Sequence, residues 1–300
     1  MINKRIFNMI NKFFLAFWGV LMAFVLITVI FFHSSTKFFC KTTFDYTNPI
    51  LLLFGVITLS VLSIIIYKFY FKIEKVLSKK SNNYIIILTA ILLLFQVYIF
   101  YNIYFVTGWD AGMIVNTAKK IAVGNFSEAS NPYFSQYQNN IFITWIFSCI
   151  IKFSRAVGIF DAKNGIMAII IVQCIFSSIT GYLLFKVIKT FTNSNTVSYF
   201  SLLAYAVFVG INPWLIITYS DSIALLFPLL IFRIYQTLDN NKYIIFKWLL
   251  IGTFSCIGYM IKPQSIIVFI AIIIVKFSEI IRNEKTRKTF FSYAKKVAIL

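Results

Sequence analysis

No charged residue occurs between Lys80 and Asp110, and that gap fixes what the chain can fold into. A helix needs ~20 apolar residues to cross the ~30 Å hydrocarbon core of a bilayer, and residues 84–105 supply them. Comparable runs recur at 13–32, 49–71, 165–187, 197–211, 222–238, 243–261 and 265–281. In lipid each run satisfies its backbone internally as a helix. A mean hydropathy of +0.85 with 12% charged residues excludes a water-soluble core. The expected fold class is therefore all-α, a polytopic transmembrane helical bundle of about eight spans. Residues 294–300 read as the start of another span, so the single domain 1–300 reads as truncated at its C-terminus.

Twenty-eight Lys and Arg stand against nine Asp and Glu. In a soluble protein that excess would suggest nucleic acid. Here the basic residues cluster in short loops, where topology and anionic lipid account for them, so nucleic acid is not an expected partner. The segment 141–160 decides the crossing parity. Its uninterrupted apolar part, 141–151, is about half of the ~20 residues a span needs, and Lys152 and Arg155 then interrupt it. With this segment interfacial or re-entrant, the basic N-terminus, 68–80, 186–189, 233–242 and 282–296 all become cytoplasmic. Residues 106–164 become one external loop of juxtamembrane and re-entrant helices between the third and fourth spans. The turn 212–221 and Lys262-Pro263 join it on that face. The expected location is the cell membrane, multi-pass, with the N-terminus cytoplasmic.

Cysteine and histidine contribute little. Cys149, Cys174 and Cys256 lie in apolar runs and Cys40 in a loop, with no CxxC pair, so neither zinc nor a disulfide framework is indicated. His33 closes the first run as an interfacial loop residue. Residues 1–12 are basic and 13–32 apolar, but the run is too long for a cleaved leader and reads as an uncleaved span.

In a chain so poor in acids, Asp110 at the edge of a span asks for a reason, because a carboxylate at the membrane boundary is costly to desolvate. The sequence predicts a helix over 111–123, capped by Asp110 and closed by Gly124. Ala111, Ile114, Val115, Ala118, Ile121 and Ala122 share one face, with Lys119 and Lys120 near the end. This pattern suits a helix lying on the membrane surface. A polar loop follows over 125–140.

Four places form an ordered set: Gly108-Trp109-Asp110, residues 133–140 (Tyr-Phe-Ser-Gln-Tyr-Gln-Asn-Asn), Tyr219-Ser220-Asp221, and residues 259–264 (Tyr-Met-Ile-Lys-Pro-Gln). Together they resemble the GT-C superfamily of membrane glycosyltransferases, nearest to the Gram-positive members of the protein mannosyltransferase and aminoarabinose transferase group. The resemblance covers 84–281. It departs from that group at Gln138, where a Tyr-Pro-Asn-Asn motif has proline, and at Trp109, which stands in place of a second carboxylate.

The resemblance implies transfer of a sugar from a polyprenyl-phosphate donor to a cell-envelope acceptor on the extracytoplasmic face, with the lipid bilayer as the surrounding partner. Such transfer needs a base at the acceptor hydroxyl and positive charge or donors for the departing phosphate. Asp110 is the candidate base. Lys262, with Lys119 and Lys120 as helpers, is the candidate phosphate site. Trp109, Tyr137, Asn139, Asn140, Asp221 and Gln264 are candidate substrate contacts. No cofactor is indicated; a divalent metal stays open, although two separate aspartates make a poor site alone. Plainer readings stand beside these: Asp110 and Asp221 as helix caps, Lys262 as a snorkelling side chain, Lys119 and Lys120 as head-group contacts, and residues 137–140 as ordinary loop polarity. A transporter or flippase for lipid-linked glycans, or an inactive fragment of a glycosyltransferase, are the competing functions. A transporter would place ionisable groups mid-span beside broken helices.

Overall fold

A computed structural model describes residues 4–37, 41–46, 48–78, 83–104, 108–127, 132–158, 165–238 and 243–282. The expected span start at 294–300, the basic stretch 283–296 and Cys40 lie outside these described residues. The chain divides into two units, Met1–Ile73 and Glu74–Leu300.

The first unit holds helix α1 (Lys4–Phe31), a hairpin of β1 (Phe32–Lys37) and β2 (Lys41–Tyr46), and most of α2 (Pro49–Ser78). The strands pair antiparallel with Phe32 opposite Tyr46 and Lys37 opposite Lys41. This hairpin departs from the all-α expectation, and it puts His33 in a strand rather than a loop. Three threonines, Thr36, Thr42 and Thr43, favour the extended backbone there. Phe13, Trp18, Leu51 and Phe54 on α1 and α2 are exposed, as suits side chains that face hydrocarbon.

The second unit contains α3 (Asn83–Ile103), α4 (Trp109–Ala122), α5 (Pro132–Gln136), α6 (Asn139–Val157), α7 (Gly165–Thr192), α8 (Asn195–Tyr205), α9 (Ser220–Ala224), α10 (Leu226–Tyr235), α11 (Ile244–Ile261) and α12 (Ile267–Arg282). Its core is apolar: Phe100, Ile114, Phe147, Ile169, Ile223, Ile231 and Ile251 are all at 2% exposure or less.

Among the described residues five helices are long and apolar enough to cross a membrane: α2, α3, α6, α7 and α11. The expected spans at 197–211 and 222–238 fall on broken elements. Helix α8 runs into a π-helical turn, Ala206–Gly210, and α9 and α10 are separated at Leu225. The run 265–281 is shared between a 3-10 turn, Pro263–Ile266, and α12. Helix α6 continues through Lys152 and Arg155 to Val157, where the sequence pattern stopped at Ile151. Both cations are good helix formers, and the last turn of a helix favours positive charge, so they extend the helix while interrupting its apolarity.

Helices α3 and α7 are antiparallel. Ile85, near the start of α3, clusters with Phe185 and Leu202. Gln96, eleven residues further on, donates to Ser177 Oγ at 3.0 Å and accepts from Ser178 Oγ at 2.8 Å. The end of α3 and the start of α7 therefore lie at one end of the bundle, and the residues between them leave and return there. So α6 does not cross alone. It packs against α4 and α7; a Cβ on Gly165, the first residue of α7, would lie 2.8 Å from Ile151 Cγ1, so the absence of a side chain permits the close approach.

Helix α10 runs with α7, since Gln236 Nε2 and Arg233 Nη1 reach Val187 O at 3.2 Å and Thr190 Oγ1 at 2.7 Å. Helix α11 returns beside it, with Gly258 against Phe227. Asp221 and Lys262 thus come to the same end as Ile103 and Gly165.

Candidate functional site

The chain breaks where the residues forbid a regular helix. Asn212 accepts from Trp214 N at 2.9 Å through its own side chain, and Pro213 opens the 3-10 turn that follows. Lys262 is extended (φ −153°, ψ 115°) because Pro263 disfavours helical backbone before it. The carbonyls these breaks release are met by two buried glutamines. Gln96 Nε2 donates to Gly210 O at 2.8 Å. Gln173 Nε2 donates to Ile217 O at 2.9 Å and also reaches Ser222 Oγ. Both glutamines are fully buried. An unmet carbonyl in an apolar interior costs ~1–3 kcal/mol, so each glutamine fixes one side of the break.

Asp110 lies in the first turn of α4 and is exposed. It is not the cap: Gly108 holds that place, and no side-chain cap bond forms. Trp109 between them is 90% exposed with a φ of 50°. That left-handed conformation costs a non-glycine residue ~1–2 kcal/mol. Gly124 (φ +88°) follows the helix as expected. The expected apolar face does exist, but Ala111, Ile114, Val115 and Ala118 bury it within the protein. That face packs against α6.

A chain of hydrogen bonds leads to Tyr133, near Asp110. Asn139 Nδ2 donates to Asn140 Oδ1 at 3.0 Å, and Asn140 Nδ2 donates to the Tyr133 hydroxyl at 2.6 Å. The Tyr133 hydroxyl in turn lies near enough to the Asp110 carboxylate to feel its charge. Burial pushes the Tyr133 phenol up, and the Asp110 charge adds to the effect, so the phenol remains a donor. Tyr219 lies close enough to Tyr133 to act on it electrostatically. That proximity sets the α4–α6 region near the turn carrying Asp221.

Lys262 forms an ion pair with Asp221. Desolvation presses the lysine ammonium below its ordinary range. Beside Asp221 lies a cavity of about 230 Å³ lined by Phe208, Val209, Asn212, Trp214, Leu215, Asp221, Ser222 and Leu225.

Of the sequence candidates, Asn139 and Asn140 lead to Tyr133 beside Asp110, Asp221 pairs with Lys262, and both groups stand at this end of the bundle. Tyr137 packs its ring on Tyr133 at 4.9 Å between centroids. Gln264 is exposed in the turn after Lys262. Lys119 and Lys120 do not join the site; they lie nine and ten residues beyond Asp110, ~14 Å along α4. Burial and the neighbouring Arg155 both push Lys119 down. Among the described residues no three of His, Cys, Asp and Glu come together as metal ligands. Gln173, Asn212 and Ser222 were not singled out by sequence, and Tyr133 was named only within the motif 133–140. A glutamine inside an apolar run was the available signal for Gln173.

The profile of a family described as "conserved hypothetical integral membrane protein" matches residues 2–300. The chain belongs to that family and is a multi-pass integral membrane protein. Comparison with curated proteins and with solved structures gives no match.

Proposed function

We propose that this membrane protein is an inverting glycosyltransferase that moves a sugar from a polyprenyl-phosphate donor to a cell-envelope acceptor on the extracytoplasmic face. The observation that carries the reading is the carboxylate of Asp110, exposed and set near the Asn139–Asn140–Tyr133 hydrogen-bond chain. Asp110 takes the proton of the acceptor hydroxyl as that oxygen attacks the anomeric carbon. The bond from that carbon to the phosphate oxygen breaks, and the departing phosphate carries the electron pair away. Lys262 offers the positive charge at that departure. Tyr137, Trp109 and Gln264 supply exposed contacts for the sugar and acceptor. The basic loops between spans support a cytoplasmic N-terminus and an external site.

Membranes bearing the protein, given radiolabelled undecaprenyl-phosphate mannose, glucose or galactose, should transfer label to an envelope fraction. Asp110→Asn should reduce that transfer ~100-fold or more. Transfer that persists unchanged in the variant would remove Asp110 as the base.

One observation favours a second reading. The helices around the cavity are discontinuous, at Ala206–Gly210 and at Leu225, and such breaks line the substrate sites of transporters. A flippase for lipid-linked glycans would deliver the labelled lipid intact to the other leaflet, with no new glycosidic bond.

A further inference from the structure

We infer that the Asp221–Lys262 ion pair is a latch on a site for an amphiphile with a single anionic head, whose head takes the place of Asp221 on Lys262 while its apolar end enters the adjoining cavity. This deepens the transferase reading, from which the phosphate nature of the head is taken.

The cavity has two chemistries. Phe208, Val209, Trp214, Leu215 and Leu225 make most of its wall, and Asp221, Ser222 and Asn212 make one polar side. Its volume of about 230 Å³ falls below the ~300–1,000 Å³ of sites that enclose a whole small molecule. It therefore receives one end of a ligand.

Depth selects the kind of ligand. The π-turn that forms part of the wall is pinned to Gln96 through Gly210 O. Gln96 lies seven residues from the end of α3, or ~10 Å along the helix. The wall thus descends into the apolar slab, and Phe208 and Trp214 are exposed at 73% and 63%. A ligand reaching it passes through hydrocarbon, which favours an amphiphile over free phosphate.

The polar end selects charge. The side chains of Lys262 and Asp221 are 28% and 31% exposed, and ion pairs with that access to solvent contribute only ~0–1 kcal/mol. A phosphate with several acceptor oxygens can displace a single carboxylate at little cost. The displaced Asp221 stays on the cavity wall, next to Ser222.

The test is equilibrium binding of radiolabelled dodecyl phosphate to the full chain in nanodiscs of zwitterionic lipid, with no sugar present. Asp221→Asn should bind ~5-fold tighter, since a competitor worth up to ~1 kcal/mol is removed. Lys262→Gln should bind at least ~10-fold weaker. Lys262→Arg, which keeps the charge, should retain binding, and Leu225→Trp, which fills the cavity, should weaken it. Weaker binding in Asp221→Asn would overturn the latch. So would full binding in Lys262→Gln, or displacement by inorganic phosphate at equal concentration, which would mark a site for the free ion. Because no transfer is read, a failure of Asp110 as the base leaves these results intact.

Discussion

Glu74 and Asp110 are carboxylates at opposite ends of the second unit, and the protein holds them in opposite ways. Glu74 Oε1 accepts from Asn195 N at 2.9 Å and Asn195 Nδ2 at 3.0 Å. Its Oε2 accepts from Ser194 Oγ at 3.0 Å and Thr196 N at 2.7 Å. Both oxygens are committed to the first turn of α8, whose orphan N–H groups and positive dipole end they satisfy. Asp110 also sits in the first turn of a helix, its own, yet makes no cap bond and is exposed. A carboxylate with filled lone pairs braces a helix. One that is still open is available to take a proton.

The largest expected contrast is between variants of these two acids. Asp110→Asn should lose transfer as described above while keeping the wild-type melting temperature. Glu74→Gln should do the reverse, lowering stability by ~2 kcal/mol while transfer per folded molecule is kept. Thermal unfolding of both, set beside their transfer rates, reads the contrast; equal melting losses would erase it. Next, Gln173→Leu should cost ~1–3 kcal/mol because Ile217 O loses its partner in an apolar interior. That variant should also loosen the turn bearing Asp221, which proteolysis at 217–222 would detect. The smallest effect belongs to Tyr133→Phe, which leaves Asp110 in place but removes the hydroxyl near it. Transfer should fall ~10-fold, with the substrate's KM little changed. Since the phenol is pushed up from its ordinary value, it stays protonated and donating through the neutral and mildly alkaline range. Wild-type transfer should therefore show no loss near pH 10 from ionisation of Tyr133.

The helices α3, α7 and α11 were legible because long apolar runs dictate them, with Lys186, Lys189 and Lys247 falling only near the ends of α7 and α11. Helix α6 was only half legible. Apolarity measures what lipid tolerates, whereas helix formation depends on backbone preference, and Lys152 and Arg155 satisfy the second while failing the first. Asp110 was read two positions too early in its helix, because Gly108 can begin a helix without the side-chain bond that identifies a cap in sequence. The break at Ala206–Gly210 left no mark, since Ala-Val-Phe-Val-Gly is as apolar as the helix it interrupts. Pro213 and Pro263 did mark the neighbouring turns. Tyr133 was visible as part of a polar loop, but its place between Asn140 and Asp110 depends on α5 folding back toward α4, which spacing does not encode.

The central claim is that Asp110, Asp221 and Lys262 share one membrane face, opposite Glu74. In a variant lacking the native cysteines, single cysteines at Asn125, Gln264 and Asn193 would be probed in intact cells with a membrane-impermeant maleimide. Positions 125 and 264 should label from outside, and position 193 only after the cells are opened. If 125 and 193 label together while 264 does not, the residues divide between the two sides and no common site exists.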